Sequence, residues 1–224
     1  MKQADWYFDF VSPFAYLQLG MLDEVAKHAT IALRPVLFAG ILNHFGQKGP
    51  AEILGKRQFT YQYVQWLAET RGVPMRFPPA HPFNPLKALR LAVALHAEPV
   101  AIRTIFMHLW RDGRSLEPNG DWEALCTRVP LANADAVIQE QWVKDMLADN
   151  GRRALAAGVF GVPTFVIDGR VFWGADSTQM VIDYLDNPAR FASGEFARLA
   201  VLPIGAERRA PPGGSRSGTH ERTP

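Results

Sequence analysis

Three separated stretches of this 224-residue sequence contain groups that could take part in chemistry, and the first is Ser12-Pro13. Ser12 follows an apolar run and precedes a helical pattern, so we expect it to cap a helix that starts at Pro13. A capping serine contributes about 1 kcal/mol, and for an isolated Ser-Pro pair that structural role is the simpler interpretation. The functional alternative is that its hydroxyl, beside the free N–H groups of a helix N-terminus, holds a thiolate supplied by a bound molecule.

The second stretch is Val162-Pro163, which lies directly before a β-rich run. A proline at this position is consistent with the simple start of a strand. If the peptide bond is cis, the backbone N–H and C=O of Val162 would instead point away from the sheet and could pair with an extended peptide ligand. The amino-acid sequence leaves the isomer open.

The third stretch is Ala175-Asp176-Ser177, which follows Gly174 at the end of that β-rich run. Capping of the next helix is the ordinary interpretation of these residues. In the functional interpretation, free N–H groups and Ser177 bind a carboxylate while Asp176 accepts from an ammonium, which are the two charges of an α-amino acid such as a γ-glutamyl group. A thiolate, an extended peptide and a γ-glutamyl group together describe glutathione.

Hydrophobic periodicity predicts the elements that position the first stretch. An aromatic-rich strand is predicted over residues 6–11, and a helix from Pro13 to about residue 28. A second strand is predicted over residues 31–37, where Pro35 indicates an edge position. This β-α-β order implies a parallel pair of strands with a right-handed crossover.

The rest of the chain divides into a helical block and a β-rich end. Two β-rich runs flank Asp168-Gly169, the strongest hairpin signal in the chain, and an amphipathic helix follows them. Between the two β-containing parts, the patterns from about residue 51 to 158 are nearly all helical. The predicted helices cover residues 51–70, 85–96, 99–111, 121–128 and 139–157.

The element order predicts an α/β fold in which a thioredoxin-like domain, βαβ plus ββα, carries a large all-helical insertion. The thioredoxin-like domain is assigned to residues 1–38 and 159–190, and the insertion to residues 39–158. The remaining segment, 205–224, is rich in Pro, Gly, Ser, Thr and Arg and is predicted to be a disordered tail.

Composition narrows the classes of function. The formal net charge is only +2, and residues 207–224 carry all of it, so no nucleic-acid partner is expected. The single cysteine, Cys126, permits neither an intramolecular disulfide nor dithiol chemistry. The six histidines show no metal-ligand spacing, so no metal is expected. Neither a signal peptide nor a membrane-spanning run is recognisable, so we expect a soluble cytoplasmic protein without a membrane partner.

Several motifs, in this order and spacing, resemble one family over about residues 4–187. They are "FDFVSPFAYL", "RPVLFAGIL", "PFNPLKALR" and "GVFGVPTFVIDGRVFWGADS", together with the helical block between them. The chain resembles the 2-hydroxychromene-2-carboxylate isomerases, which are relatives of the kappa-class glutathione transferases and of DsbA-like oxidoreductases. The resemblance implies a DsbA-like helical insertion, glutathione as cofactor, and a homodimer.

The reaction implied by the resemblance is the conversion of 2-hydroxychromene-2-carboxylate, a small aromatic carboxylate, to trans-o-hydroxybenzylidenepyruvate. The glutathione thiolate would add to a conjugated carbon of the substrate and later be expelled, so that the cofactor is regenerated. Ser12 would match the serine that contacts the glutathione sulfur, and is the catalytic candidate.

The resemblance also implies further binding residues. Val162 and Pro163 would match the cis-proline position, Lys56 a basic residue that reaches glutathione, and residues 175–177 the γ-glutamyl-binding turn. The candidates for the substrate wall are Asn43, Gln47, Phe83, Asn84 and Arg90. Family members often have lysine, linked to substrate recognition, at the position of Asn43, and asparagine at that of Gln47. Ordinary core packing is the alternative for Phe83.

Two other functions are compatible with the same features. The first is a kappa-like glutathione transferase or peroxidase that acts on another electrophile. The second is a non-catalytic thioredoxin-like module that binds peptides or partner proteins. A hydrolase with Ser12 as nucleophile is disfavoured, because Ser12 lacks the Gly-x-Ser-x-Gly elbow and no base can be assigned to it.

Overall fold

A computed structural model of the chain describes residues 1–118 and 120–206. Four strands form one sheet: β1 (Lys2–Phe8), β2 (Ala29–Pro35), β3 (Thr164–Ile167) and β4 (Arg170–Trp173). Their order is β2-β1-β3-β4. Strand β1 is parallel to β2, and β3 is antiparallel to both β1 and β4. The carboxyl end of β1 and the beginning of β3 therefore lie at the same edge of the sheet.

Helices make up most of the remaining described chain. In chain order they are α1 (Pro13–Leu19), α2 (Leu22–Val25), α3 (Phe38–Phe45), α4 (Leu54–Thr70), α5 (Leu86–Ala94), α6 (Pro99–Phe106), α7 (Asp121–Cys126), α8 (Ala134–Val137), α9 (Gln141–Ala156), α10 (Thr178–Asp186) and α11 (Gly194–Leu199). A π-helical turn, Met107–Arg111, extends α6, and the 3₁₀ turn Ala175–Ser177 precedes α10.

This order confirms the predicted fold class. Helices α3 to α9 all lie between β2 and β3, which leaves βαβ and ββα on either side of a helical insertion. The residue boundaries assigned to the two parts stay predictions. Pro35 ends β2, which is an edge strand of the described sheet, as expected for a residue that lacks a backbone N–H. Asp168 and Gly169 form the predicted two-residue hairpin loop, with φ of 52° and 75°.

The five helices predicted in the insertion correspond to α4, α5, α6 with its π-helical turn, α7 and α9, with ends that differ by a few residues. Two short helices, α3 and α8, were not predicted. The helix predicted from Pro13 to about residue 28 is interrupted at Gly20-Met21 and forms α1 and α2 instead. Glycine weakens a helix interior because it has the most backbone freedom to lose.

Strand β1 also differs from its prediction. It covers residues 2–8 rather than 6–11, because Asp9 turns the chain. Its side chain accepts a hydrogen bond from the N–H of Val11, two residues later, and this Asx turn replaces the strand.

Aromatic side chains fill the core between the sheet and the insertion. Trp6, Phe8 and Phe10 are fully buried on and just after β1, and Phe106 at the end of α6 packs against all three. The rings of Trp6 and Phe8 are stacked with their centroids 4.5 Å apart. Each such side chain removes a large apolar area from water, so this cluster joins the insertion to the sheet.

One buried glutamine connects three elements around that core. The Gln18 side chain on α1 is 0% exposed and accepts a hydrogen bond from the Trp6 indole at 2.7 Å. Its amide nitrogen donates to the Thr178 hydroxyl at 2.9 Å and to the Gly174 carbonyl at 3.3 Å. Gln18 therefore fixes the turn after β4 against α1.

Two further observations complete the fold. Within the described ranges, no helix is both long and apolar enough to cross a bilayer. A separate compact unit begins at Asn187 and contains α11. Within this unit Phe191 packs on Phe196 of α11, with ring centroids 4.7 Å apart. Of the predicted tail, only residues 205–206 are described, and the rest lies outside the described residues.

Replacement of Gln18 by leucine is expected to lower the free energy of unfolding by about 1–3 kcal/mol, because the buried Trp6 indole N–H loses its acceptor. Urea unfolding measures the change. The matched control is Gln179→Leu on exposed α10 surface, which should change stability by less than about 0.5 kcal/mol. Equal effects of the two substitutions would contradict this role of Gln18.

Candidate functional site

A cavity of about 310 Å³ lies at the edge of the sheet where β1 ends. It is bounded by the turn between β1 and α1, by the segment around α3, by the loop before α5 and by the start of the β3–β4 hairpin. Six of the side chains that line it are Ser12, Phe14, Phe38, Asn43, Phe83 and Trp173. The cavity thus combines parts of the sheet domain with parts of the insertion, and most of its wall is apolar.

Ser12 is the N-cap of α1, as predicted. It is 6% exposed, and its Oγ accepts a hydrogen bond from the N–H of Ala15 at 3.3 Å. The hydroxyl hydrogen donates to no acceptor among the residues that the structure describes. Because α1 is only two turns long, the hydroxyl rather than a long helix dipole is the main polar group that Ser12 brings to the cavity.

The Val162-Pro163 peptide bond is cis. Val162 lines the cavity, and in the described part of the chain its backbone N–H and C=O have no hydrogen-bond partner. The carbonyl of Pro163 accepts from the N–H of Gly174 at 2.9 Å, which joins this segment to the end of β4. One free donor and one free acceptor therefore face a possible extended ligand.

The turn Ala175–Ser177 lies at the same edge of the sheet but does not line the cavity. The Ser177 hydroxyl donates to the Gly174 carbonyl at 2.8 Å, so its hydrogen is used inside the turn. Asp176 is exposed, and its carboxylate folds over Gly174, where an added Cβ would lie 2.3 Å from Oδ1. With a φ of 92°, position 174 therefore accepts only glycine.

The other predicted residues fall into two groups. Asn43, Gln47 and Phe83 line the cavity with Ser12 and Val162. Pro163, Lys56, Asn84 and Arg90 are outside the wall, as is the turn 175–177.

The residues outside the wall have identifiable positions. Lys56 is exposed on α4, one turn before Thr60, which lines the cavity; residues four apart share a helix face, so Lys56 and Thr60 lie on the same face of α4. The side chain of Asn84 accepts from the N–H of Leu86, the first residue of α5, at 3.0 Å. Arg90 donates to Gln139, which also lies outside the wall, at 3.3 Å.

Asp9 is a site residue that the sequence analysis missed. It is 0% exposed although it is one of the residues that line the cavity, and its two carboxylate oxygens accept from the N–H groups of Val11 at 3.0 Å and Phe38 at 2.8 Å. Burial raises the pKa of Asp9 from 3.8 to about 7, against the smaller lowering effect of these backbone donors. A signal was available, since Asp9 is the lone carboxylic acid in the apolar run of residues 6–11 before Ser12.

His81 is the second residue that was missed. It lines the cavity, and its ring lies between the carbonyl of Val11, 2.8 Å from Nε2, and the hydroxyl of Tyr61, 2.8 Å from Nδ1. Burial lowers the pKa of His81, although the Val11 carbonyl opposes the shift. The peptide bond between His81 and Pro82 is cis. No sequence pattern connects His81 with Val11, which lies 70 residues earlier.

Cys126 lies at the end of α7 and is not part of the cavity wall. Burial raises the pKa of its thiol, and the carboxylates of Asp135 and Glu123 raise it further. The thiol therefore stays protonated at neutral pH. Any sulfur that reacts in the cavity must come from a bound molecule.

Comparison with known proteins identifies the family to which this fold belongs. The DSBA-like thioredoxin domain family matches residues 3–186, and the chain belongs to this family. The 2-hydroxychromene-2-carboxylate isomerase of Sphingobium xenophagum is 27% identical over 195 residues, which cover 82% of this chain and 98% of the relative. Glutathione S-transferase kappa 1 of Rattus norvegicus is 24% identical over 201 residues, 80% of this chain and 89% of the relative.

A solved structure agrees with the fold. The structure of a 2-hydroxychromene-2-carboxylate isomerase superposes with a TM-score of 0.72 at 20% identity, over 88% of this chain and 98% of that chain. The resemblance inferred from the motifs is therefore confirmed at the level of family and fold. The relatives are named as enzymes, an isomerase and a transferase, which supports an enzyme in the general sense.

The raised pKa of Asp9 predicts a pH-dependent stability. Between about pH 4 and 7 the folded protein retains a proton that the unfolded chain has released, so this residue's contribution to the free energy of unfolding falls as pH rises. The fall is at most about 4 kcal/mol, at about 1.4 kcal/mol per pH unit. In Asp9→Asn this contribution is absent. The free energy of unfolding of the wild type minus that of the variant should therefore fall by up to about 4 kcal/mol from pH 4 to 8.

Urea unfolding across this pH range tests the expectation. The control is Asp23→Asn, whose carboxylate is exposed and pairs with Arg103. A difference between wild type and Asp9→Asn that stays constant from pH 4 to 8 would show that Asp9 does not titrate in this range.

Proposed function

We propose that this protein is a glutathione-dependent isomerase that converts 2-hydroxychromene-2-carboxylate to trans-o-hydroxybenzylidenepyruvate, a step in the degradation of aromatic compounds. The names of two relatives support the reaction and the use of glutathione, respectively: one is an isomerase of this substrate and the other a glutathione transferase. The single observation that carries it is the Ser12 hydroxyl, whose hydrogen has no acceptor among the described residues although it lies in a mostly apolar cavity.

An unused donor in such a place costs free energy until a ligand supplies an acceptor. A thiolate is a suitable acceptor, because its charge strengthens the hydrogen bond. The chain itself has one cysteine, outside the wall, so the thiolate belongs to the ligand. Ser12 can hold the sulfur without forming a disulfide with it.

The other free groups suit the remaining parts of glutathione. The unpaired N–H and C=O of Val162 match the backbone of an extended peptide. The exposed carboxylate of Asp176 can accept from the α-ammonium of the γ-glutamyl group, with the turn Ala175–Ser177 beside its carboxylate. The side chain of Lys56, on the same face of α4 as Thr60, supplies a positive charge for a second carboxylate.

When bound, glutathione supplies a nucleophilic thiolate that adds reversibly to a conjugated carbon of the substrate. Ser12 donates its hydrogen bond to the sulfur and thereby favours the ionised form. The rings of Phe14, Phe38 and Phe83 offer flat apolar surface to an aromatic substrate and exclude water from the reacting atoms. The amides of Asn43 and Gln47 are available to polar substituents.

The cytoplasmic location and the homodimer are part of this proposal. Helix α4 exposes a row of stacked aromatic rings, with centroids 5.8 Å apart for Phe59 and Tyr63 and 5.9 Å apart for Tyr63 and Trp66. Phe59 and Trp66 are 66% and 57% exposed. A second copy of the chain would remove this apolar face from water.

Ser12→Ala is expected to raise the apparent pKa of bound glutathione and to lower turnover by about 10²-fold, because the hydrogen bond to the thiolate is lost. Calorimetry measures binding at millimolar glutathione, and thiolate absorbance against pH measures the pKa. Ser193→Ala, at the N-cap of α11, is the matched control and should change neither quantity. An unchanged pH profile in Ser12→Ala would remove Ser12 from this role, and no glutathione binding by the wild type would sink the proposal as a whole.

A second candidate function, a kappa-like transfer of glutathione to an uncharged electrophile, is favoured by the charges at the cavity. Asp9 and Glu52 both line the cavity, so a carboxylate substrate would lie near two acidic residues, of which Asp9, with a pKa of about 7, is only partly ionised at neutral pH. Like charges in a partly desolvated site disfavour each other. The uncharged Asn43 stands where a lysine would offset this effect.

A matched pair of substrates separates the two functions. Absorbance of 2-hydroxychromene-2-carboxylate should change in a glutathione-dependent way if the isomerase proposal holds, whereas benzylideneacetone, which has no carboxylate, should be conjugated if the transferase proposal holds. Asn43→Lys is expected to raise kcat/KM for the carboxylate about tenfold, through roughly 1.4 kcal/mol of charge attraction, and to leave the uncharged compound unaffected. An equal effect on both compounds would show that Asn43 does not face the carboxylate.

A further inference from the structure

The two residues before Ser12 are held by the helical insertion through their backbone carbonyls. The indole N–H of Trp110, in the π-helical turn, donates to the carbonyl of Phe10 at 2.8 Å. The Nε2 of His81 lies 2.8 Å from the carbonyl of Val11. Since a carbonyl only accepts, Nε2 carries the hydrogen in this contact.

The surroundings of His81 fix its ring. The hydroxyl of Tyr61 lies 2.8 Å from Nδ1 and 2.7 Å from the carbonyl of His81 itself. The ring also packs edge-on against Phe77 and Trp110. With both nitrogens engaged and aromatic rings on its sides, His81 has one orientation, and in it the Val11 carbonyl is bound.

The opposite side of the same peptide segment is held by Asp9. Its carboxylate accepts from the N–H of Val11, and its carbonyl accepts from the N–H of Ser12 at 3.1 Å. Both backbone groups of Val11 are therefore bound by side chains from different elements. The direction in which the chain enters α1, and with it the position of the Ser12 hydroxyl, depends on these two bonds.

We propose that His81 is a positioning residue, whose ring N–H, through the Val11 carbonyl, sets the position of the side chain at residue 12 in the cavity. The helical insertion thereby adjusts how strongly residue 12 and its neighbouring N–H groups stabilise a thiolate. The importance of His81 for catalysis rests on the proposed function. Its effect on the position of residue 12, however, can be measured without glutathione.

The test uses a thiol placed at the site. In a chain that carries Cys126→Ser, the substitution Ser12→Cys introduces one thiol whose pKa follows from its rate of alkylation by iodoacetamide against pH. In two further variants an amide side chain replaces the histidine. The side-chain nitrogen of the glutamine in His81→Gln can take the place of Nε2, and that of the asparagine in His81→Asn can take the place of Nδ1. Only the glutamine variant keeps a donor for Val11, while both variants keep a polar side chain.

His81→Asn is expected to raise the pKa of the introduced thiol by about one unit toward the ordinary value near 8.5, because loss of the Val11 bond lets residue 12 move away from the N–H groups of the turn. His81→Gln should leave the pKa near that of the parent. The matched control is His108→Asn, since His108 is also buried and binds a carbonyl, that of Ser115 at 3.0 Å, away from the cavity wall. It should lower the melting temperature without changing the thiol pKa.

An unchanged thiol pKa in His81→Asn, or equal shifts in the asparagine and glutamine variants, would overturn the inference. The same His81 variants in the chain that retains Ser12 are then measured with glutathione. A wild type that fails to bind glutathione would overturn the proposed function but not the positioning by His81, so the two failures are distinguishable.

Discussion

The carboxylate of Asp9, buried at the end of β1, is the constraint on which the arrangement of the site depends. Its two oxygens bind the N–H of Val11 and the N–H of Phe38, and so connect the turn that leads to Ser12 with the first turn of α3. A buried carboxylate is costly, and here it is stabilised by backbone donors, since the described residues include no ion-pair partner for it. The pKa of Asp9 is raised because burial disfavours its ionised form.

The same constraint explains how a short polar segment can exist inside an aromatic core. Phe8 and Phe10 are fully buried on either side of Asp9, and the backbone between Asp9 and Ser12 must satisfy its polar groups there. Three side chains do so: Asp9, directly after β1, and Trp110 and His81 from the insertion. At the edge of the sheet, the Ser12 hydroxyl hydrogen and the backbone groups of Val162 have no partner among the described residues, and both residues line the cavity. These unpaired groups are available to a ligand, whereas the bound groups of Phe10 and Val11 hold the segment before Ser12 in place.

Local patterns were sufficient for much of the fold and for part of the site. Residues close together in the sequence predict three features: the Asp168-Gly169 hairpin, the edge position of Pro35 and the helices of the insertion. The signals are hydrophobic periodicity and residues with special backbone preferences. Ser12 as a helix cap is local in the same sense. The interruption at Gly20 and the short helix α3 were missed. The interruption at Gly20 depends on a small difference in helix propensity. The start of α3 depends on a distant residue, since Asp9, 29 residues earlier, binds its first N–H.

By itself, the sequence determined the fold class, the helix cap at Ser12, the proline before β3, and the absence of a cysteine redox pair, because the chain has a single cysteine. Only the tertiary structure decided that Asn43, Gln47 and Phe83 share a cavity with Ser12, and that Asp9 and His81 bind the two sides of Val11. The physical reason is that hydrogen bonds and burial depend on which residues meet in space. Side chains 70 residues apart, such as His81 and Val11, leave no periodic signal in the chain.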